Sequence, residues 1–574
     1  MKHPKNNFIN TPGYQIINNW LAANNREPFA YQLQTWEQIS AGKSGLVNAP
    51  TGYGKTFSVF LGALIHFINA NPNHYKTKQN NGLQLLWITP LRALAKDICR
   101  AMQQVIQELE MQWQIGIRNG DTEINIRKKQ NAKMPEVLII TPESLHLLLA
   151  QKDYPSQFSQ LKIIAVDEWH ELLGSKRGVQ VELAISRLIN IKPPKPDTGR
   201  TSIWGLSATI GNLEKAKEVL LSPLKKVGII IKADFQKKIE IQSILPDEIE
   251  TYPWAGHLGL KLSKKIIPII LKNDSTLIFI NTRGMSEAWY QQLLTIEPEL
   301  AGTMALHHGS IEKYLRTWIE ESIQQGRLKA VVCTSSLDLG VDFRPVQAVV
   351  QVGSPKGVAR FLQRAGRSGH QPGQTSKIYF LPTHSLELLE AAALKKAIDS
   401  SFIESRQPLT LCFDVLLQYL TTLAISEGFN ATQIFKEIKS TYCYKYLLKS
   451  EWTQLLHFLT KGGVALKNYD DYKKVVKVKT VYKINNRTTA MRHRLHIGTI
   501  VSDALIKVKF INGEFIGLIE EWFISRLNPG EAFTFAGRNL EFIKLKDLVA
   551  LVKVSNSTKT IIPSWMGGRL PLSA

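Results

Sequence analysis

The apolar and polar positions of this chain follow two rhythms that change over near residue 400. Before it, short apolar runs alternate with longer amphipathic stretches: Gly45 to Asn48, Leu83 to Thr89, Val137 to Thr141, Ile163 to Val166 and Ile203 to Ser207. Such uninterrupted runs predict strands buried on both faces, and the stretches between them predict the crossover helices of βαβ units in a parallel sheet. A second series, at Ser275 (STLIFINT), Ala330 (AVVCTS) and Ala348 (AVVQVGS), follows a turn-rich connector from Leu245 to Gly259. The expectation is an α/β protein with two similar domains, over residues 1–235 and 236–400.

After the change, Leu411 to Ala424 and Glu451 to Leu459 predict amphipathic helices, the second capped by Ser450 and stopped at Gly462-Gly463, before a wing-like strand at Val464. From Tyr472, runs such as VVKVKTVYKI, ALIKVKFI and EFIGLIEEWF, separated by Asn-Gly and Asn-Pro-Gly turns, predict strands. These give a small helical domain over 401–466 and a β-rich domain over 467–574. Strand alternation puts Lys477, Lys479 and Lys483 on one face and Val476, Val478, Tyr482 and Ile484 on the other. That face suits either a polyanion or a sheet edge guarded by lysines. Trp452 suits either base stacking or, more simply, a buried anchor.

Composition narrows the class. The 574 residues exceed what one core serves, and 44% apolar content excludes collagen-like and wholly disordered chains. Four cysteines with no close pair give neither a disulfide framework nor a zinc site. Phe57 to Ile68 is too short to span a bilayer, and the N-terminus lacks a signal peptide's apolar core, so a cytoplasmic protein without a membrane segment is expected. Lys plus Arg number 71 against 48 Asp plus Glu, a net charge of +23 that calls for an anionic partner.

Chemistry concentrates at strand ends. Ala49-Pro-Thr-Gly-Tyr-Gly-Lys-Thr56 follows one predicted strand and opens a helix: Gly52 and Gly54 free backbone N–H groups to wrap phosphates, Lys55 supplies a cation and Thr56 a hydroxyl for Mg²⁺. Ala49 stands where a first glycine is usual. Asp167-Glu168-Trp169-His170 ends another strand, where Asp167 can hold the metal and Glu168 can take a proton from water; acids suited to a helix dipole would look the same.

With Ser207-Ala208-Thr209, these segments resemble the motor core of superfamily-two DExH-box helicases, which implies two tandem RecA-like P-loop domains clamping ATP. Gln363-Arg364-Ala365-Gly366-Arg367-Ser368-Gly369-His370 resembles the second domain's signature, implying Arg364 and Arg367 as charge-stabilising fingers and Gln363 directed at the nucleotide. Thr89-Pro-Leu-Arg92, Arg118-Asn-Gly-Asp-Thr122, Thr141-Pro-Glu-Ser-Leu145, Asn281-Thr-Arg283, Leu306-His-His-Gly-Ser310 and Thr334 to Asp342 resemble nucleic-acid-gripping motifs, with Arg92, Thr141, Arg283 and Thr334 on the strand and Gly340 and Asp342 coupling it to ATP.

A finer resemblance is to the Lhr-like group, and within it to bacterial ligase-associated DEXH-box helicases: DEWHELLGSKRG, WGLSATIGN, GSPKGVARFLQRAGRSGH, HRLHIGTI and WMGGRLPLS carry it, and PFAYQ implies Gln32 on the adenine. It implies a winged-helix domain followed by a barrel-like β domain. It also implies ATP and Mg²⁺ as cofactors, single-stranded DNA or a partial duplex with a 3′ overhang as substrate, and 3′ to 5′ movement in DNA repair. A monomer with a DNA ligase and a nuclease as partners follows from the same group. Members continue beyond the GGR-PLS segment, so that further domain is expected to be absent here. RNA or RNA:DNA hybrid unwinding, or an ATPase clamp that does not unwind, remain the alternatives.

Overall fold

The computed structural model describes residues 6–50, 52–191, 201–208, 210–224, 227–234, 238–245, 259–338, 346–369, 375–384, 386–462, 475–498, 505–546, 549–557 and 560–563. The chain forms two compact units, and each is discontinuous: Met1–Phe235 with Ser405–Ile500, and Gln236–Glu404 with Val501–Ala574.

In the first unit, strands β1 (Gly45–Asn48), β2 (Leu85–Ile88), β3 (Ile115–Arg118), β4 (Val137–Ile140), β5 (Ile163–Val166), β6 (Ser202–Ser207) and β7 (Ile229–Lys232) form one sheet in the order β3-β4-β2-β5-β6-β1-β7. Every pairing is parallel. Helices cover both faces, which is why β2, β4, β5 and β6 are buried at every position and read as continuous apolar runs. β3 and β7, the edge strands, have a mixed burial pattern, and neither stands out in the sequence.

The second unit repeats the plan. β8 (Ile239–Ser243), β9 (Thr276–Phe279), β10 (Met304–His307), β11 (Ala330–Cys333), β12 (Ala348–Val352) and β13 (Ser376–Leu381) assemble as β10-β11-β9-β12-β13-β8, again all parallel.

The winged-helix segment belongs to the first unit. Its helices Phe413–Ile425, Ala431–Lys439 and Lys449–Lys461 share one apolar core with the first α/β domain, in which Leu416, Tyr419, Leu420 and Leu423 join Leu148, Leu183 and Ile185. The helix Lys176–Asn190 lies between the two and is buried over most of its surface. The third helix starts one residue before the expected cap: Leu448 is the N-cap, and its N–H donates to Glu451 at 2.8 Å. The strand expected at Val464 lies outside the described residues.

The tyrosine- and lysine-rich run corrects two expectations. β14 (Phe429–Asn430), β15 (Val476–Val478) and β16 (Val481–Lys483) form the order β14-β16-β15, so this hairpin is the wing of the helical domain and not the start of the β-rich one. The chain passes to the other unit only after Ile500, not at 466. Lys479 adopts φ +56° in the tight turn, which breaks the alternation assumed from sequence. Lys477 therefore pairs with Tyr482, its ammonium 5.7 Å from the ring centroid, on the same face rather than opposite ones.

The C-terminal strands β17 (Leu505–Phe510), β18 (Phe515–Glu520), β19 (Ala532–Phe535), β20 (Arg538–Lys546) and β21 (Val549–Val554) run β18-β17-β21-β20-β19, an open half-barrel with its own core of Val508, Ile519, Phe533, Phe535 and Leu540. It is bonded to the second α/β domain. Buried Glu287 accepts the N–H groups of Ala536 and Gly537 at 2.7 and 2.9 Å, and the Leu518 N–H donates to the carbonyl of Ser310 at 2.9 Å.

Candidate nucleotide site and nucleic-acid track

Parallel pairing puts the carboxyl ends of β1, β5 and β6 side by side, where doubly wound sheets bind ligands. After β1 the Ala49 N–H still pairs with the Ser207 carbonyl at 3.1 Å, so this position continues the ladder and has no need of glycine's freedom. Gly52 and Gly54 do need it, at φ +87° and +74°, and the helix Lys55–Ala70 starts at once. Thr56 is half-buried on its first turn. Gln32 braces this loop: its amide accepts from the Phe29 N–H at 2.9 Å and donates to the Gly54 carbonyl at 3.0 Å.

Asp167 and Glu168 end β5. Asp167 accepts from the indole N–H of Trp87 at 3.3 Å and the Glu168 N–H at 2.9 Å. Glu168 sits in the left-handed region at φ +44°, an uncommon conformation for a side chain of its size, which directs it to Lys55 with Oε1 3.8 Å from Nζ. Burial, then the charge of Glu168, pushes the Asp167 carboxyl above the usual carboxylate range, against the pull of Lys55. Lys55 Nζ and Glu168 Oε2 are both buried without a hydrogen-bond partner among the described residues. An unpaired ammonium beside phosphate-binding turns, and two crowded acids short of positive charge, fit a polyphosphate accompanied by a divalent cation.

His170 reaches back from the next turn. Its Nδ1 is 3.3 Å from Ser207 Oγ, at the end of β6, and 3.4 Å from Glu168 Oε2, while Nε2 is 3.6 Å from Glu171 Oε1. Burial pushes the imidazole down to about 3, so it is neutral at physiological pH. Arg406, from the segment leading into the winged helix, holds Glu171 Oε1 at 3.1 Å.

The carboxyl ends of β2, β3 and β4 lie on the other half of the same edge. Arg92 and Asp121 pair at 3.0 Å, Thr141 bonds Ser144 at 3.1 Å, and Arg177 ties the Pro90 carbonyl to Glu143. The helix Arg487–His496 of the winged-helix segment adds exposed Arg487, Arg492 and Arg494, and the Arg494 guanidinium donates to the carbonyl of Ala150, just past the Thr141 helix. In the second unit Arg283 donates to Ser310 Oγ at 2.9 Å, and Thr334 lies 3.5 Å from Ser336 Oγ. Gly340, Asp342, Thr209 and His370 lie outside the described residues. Trp452 is a buried anchor packed on Phe435 with ring centroids 5.5 Å apart.

The two arginines expected as fingers differ. Arg364 is 1% exposed: its fork holds both oxygens of Asp338 at 2.7 and 3.1 Å, its third nitrogen donates to Gln351 at 2.6 Å, and Phe279 lies under its plane at 4.8 Å. This is the geometry of a structural pair, and a finger role for Arg364 would have to break it. Arg367, beyond the end of the helix Val358–Ala365, donates to the Asp338 carbonyl at 2.9 Å, and Gln363 is buried on that helix beside Arg364. Asp338, Glu171, Arg406 and Glu287 were not singled out in the sequence. Asp338 and Glu171 sit inside quoted motifs, the latter in DEWHELLGSKRG, whereas Arg406 carries no local signal at all.

Three family models match the chain: a DEAD/DEAH box helicase over residues 29–217, a helicase conserved C-terminal domain over 261–371, and the winged helix domain of large helicase-related protein over 396–562. The ATP-dependent helicase Lhr-Core protein 2 of Thermococcus barophilus is 32% identical over 93% of this chain and 63% of its own length. The chain thus spans less than two thirds of that relative. The structure of Mycobacterium smegmatis helicase Lhr bound to ssDNA and AMP-PNP superposes with a TM-score of 0.75 at 27% identity, over 86% of this chain and 64% of that one. The DUF1998 helicase MrfA bound to DNA shares the fold, with a TM-score of 0.74 at 20% identity over 96% and 74%.

Proposed function

From a chain that belongs to the Lhr family of helicases, we propose an ATP-dependent motor that moves along single-stranded DNA 3′ to 5′ and unwinds duplex ahead of it, in DNA repair. The observation that carries the ATPase is the buried Lys55–Glu168 pair beside the phosphate-binding turn, with an ammonium and a carboxylate oxygen awaiting partners. In this reading Gly52, Gly54 and Lys55 take the phosphates, and Gln32 braces the loop beside the base. Thr56 and Asp167 are the residues that would hold Mg²⁺, which offsets phosphate charge when bound. Glu168, with Oε1 3.8 Å from the Lys55 ammonium, accepts the proton of the attacking water. Arg367 stabilises charge on the transferred phosphoryl, while Gln363, Gly340 and Asp342 contribute to the same assembly.

Arg92, Thr141, Arg283 and Thr334, at carboxyl ends of strands in the two motor domains, are proposed to grip the backbone without reading bases. Single-stranded DNA is favoured over RNA because the Lhr structure that this chain matches is named as bound to ssDNA. The family resemblance extends the proposal to a cytoplasmic monomer working with a DNA ligase and a nuclease. The test is Glu168→Gln: it is expected to bind a non-hydrolysable ATP analogue as the wild type does, while strand-stimulated turnover falls by about 10²-fold or more. Wild-type turnover in that variant would refute the base assignment, and equal stimulation by DNA and RNA of one sequence would refute the DNA preference.

A further inference from the structure

The motifs account for Arg283 and for the Leu306-His-His-Gly-Ser310 turn beside it, but not for what holds the two in place from behind. Arg283 opens the helix Arg283–Ile296, and its Nη1 donates to Ser310 Oγ at 2.9 Å. Ser310 is buried, so its hydroxyl is a fixed point against which a long, flexible side chain is steadied. The half-barrel decides where Ser310 stands. Its edge strand β18 is covered by 310–312: the Leu518 N–H donates to the Ser310 carbonyl at 2.9 Å, the Glu312 N–H donates to the Ile516 carbonyl at 3.2 Å, and Ile311 forms an antiparallel bridge with Gly517.

Three further features make this a built junction. A Cβ on Gly517 would run into the Ser310 carbonyl and lie 3.0 Å from the Phe535 ring, so the close approach requires glycine. Glu287, fully buried, serves both sides: it accepts the Ala536 and Gly537 N–H groups of the half-barrel at 2.7 and 2.9 Å, and its Oε1 lies 3.0 Å from His308 Nε2 in the turn. Glu520 is buried at the end of β18, and its side chain does not cap the helix that follows. Burial lowers the pKa of the Arg283 guanidinium, and the charge of Glu520 opposes that shift, so the carboxylate acts on the arginine from the half-barrel side.

We propose that the half-barrel is a positioning element of the strand grip: through the β18 edge and Glu520 it fixes Ser310 and the Arg283 guanidinium where a phosphate of the single strand is held. A guanidinium steadied beforehand loses less freedom on meeting a phosphate than one that must be ordered by binding. The inference rests on Arg283 being a strand contact. It makes the half-barrel part of the nucleic-acid grip without requiring any of its own residues to touch the strand.

The experiment measures the Kd for single-stranded DNA across a series of salt concentrations, and the Tm, for wild type, Gly517→Ala, Glu520→Gln, Arg283→Ala, the Gly517→Ala/Arg283→Ala double variant and Val552→Ala. Val552 lies in the half-barrel core on β21, two strands from β18, so its variant loosens the module away from the junction. Arg283→Ala is expected to make the log–log salt slope shallower by about 0.7, one phosphate on a single strand. Gly517→Ala alters no charge, yet should lose the same part of the slope and weaken Kd about tenfold, and the double variant should lose it only once. Removing the acid in Glu520→Gln would by itself strengthen the pull on phosphates, so the weaker and less salt-dependent grip expected of it reports lost placement. Val552→Ala should lower Tm with the slope unchanged. If Arg283→Ala keeps the wild-type slope, the strand contact fails and the proposal with it. If Arg283→Ala loses slope while Gly517→Ala and Glu520→Gln keep it, or if Glu520→Gln binds more tightly, the half-barrel does not position Arg283 and the contact itself stands. An equal loss of slope in Val552→Ala would show an effect of stability alone and overturn the proposal.

Discussion

Arg364 and Arg367 are three residues apart and carry the same charge, yet their bonding differs: Arg364 forks onto the Asp338 carboxylate, whereas Arg367 donates to the Asp338 backbone carbonyl. Arg364 is locked by Asp338, Gln351 and the face of Phe279, so its removal strands a buried carboxylate. Arg364→Ala is expected to cost about 3–5 kcal/mol of stability, read as a large drop in Tm or in denaturation midpoint. Arg367→Ala should leave Tm close to wild type and lower strand-stimulated ATP turnover by about 10³-fold. Loss of activity at unchanged Tm in Arg364→Ala would contradict this division.

Among the elements, the helix Lys176–Asn190 is the one on which two domains depend. Its Glu182 is buried between the motor sheet and the winged-helix segment, and Oε2 accepts the Cys443 N–H at 2.9 Å. Burial pushes this carboxyl up from 4.5 to about 8, against the lowering effect of the Cys443 and Tyr442 N–H groups. The folded protein thus holds this proton more tightly than the unfolded chain does. The stability it contributes is complete below pH 4.5 and is lost as pH rises through about 8. Glu182→Gln keeps an acceptor for Cys443 and removes the titration, so its Tm should fall less than that of wild type over this window. Parallel Tm profiles for the two proteins would show that Glu182 does not titrate there.

For the whole molecule, a charge of +23 can be a burden of self-repulsion or a means of holding a polyanion. Basic groups lie at the strand ends that carry the proposed track and along the helix Arg487–His496, where the last turn holds His493, Arg494 and His496. Affinity for single-stranded DNA should then fall linearly in log–log form as salt rises, with a slope of about −0.7 per phosphate neutralised. A flat response in a fluorescence-anisotropy titration would remove backbone contact as the main source of affinity.

The parts of this molecule that were legible in the sequence are those fixed by local constraint. Strands buried on both faces must be apolar throughout, turns at Gly52 and Gly54 must tolerate left-handed backbone, and the acids after β5 must follow their strand. Those requirements leave signatures at fixed short spacing, and with them the two sheets and the strand-end residues of the candidate nucleotide site. What the tertiary structure alone decided is which segment each accessory strand and each charged side chain would meet. The wing hairpin pairs with Phe429–Asn430, just over fifty residues upstream, and one turn at Lys479 changes which of its side chains face each other; alternation along the chain reveals neither. Likewise the distance in sequence between Glu171 and Arg406 hides a contact of 3.1 Å. Local rules set which elements form, whereas the burial of shared apolar surface and the pairing of isolated charges are settled only when distant parts of the chain meet.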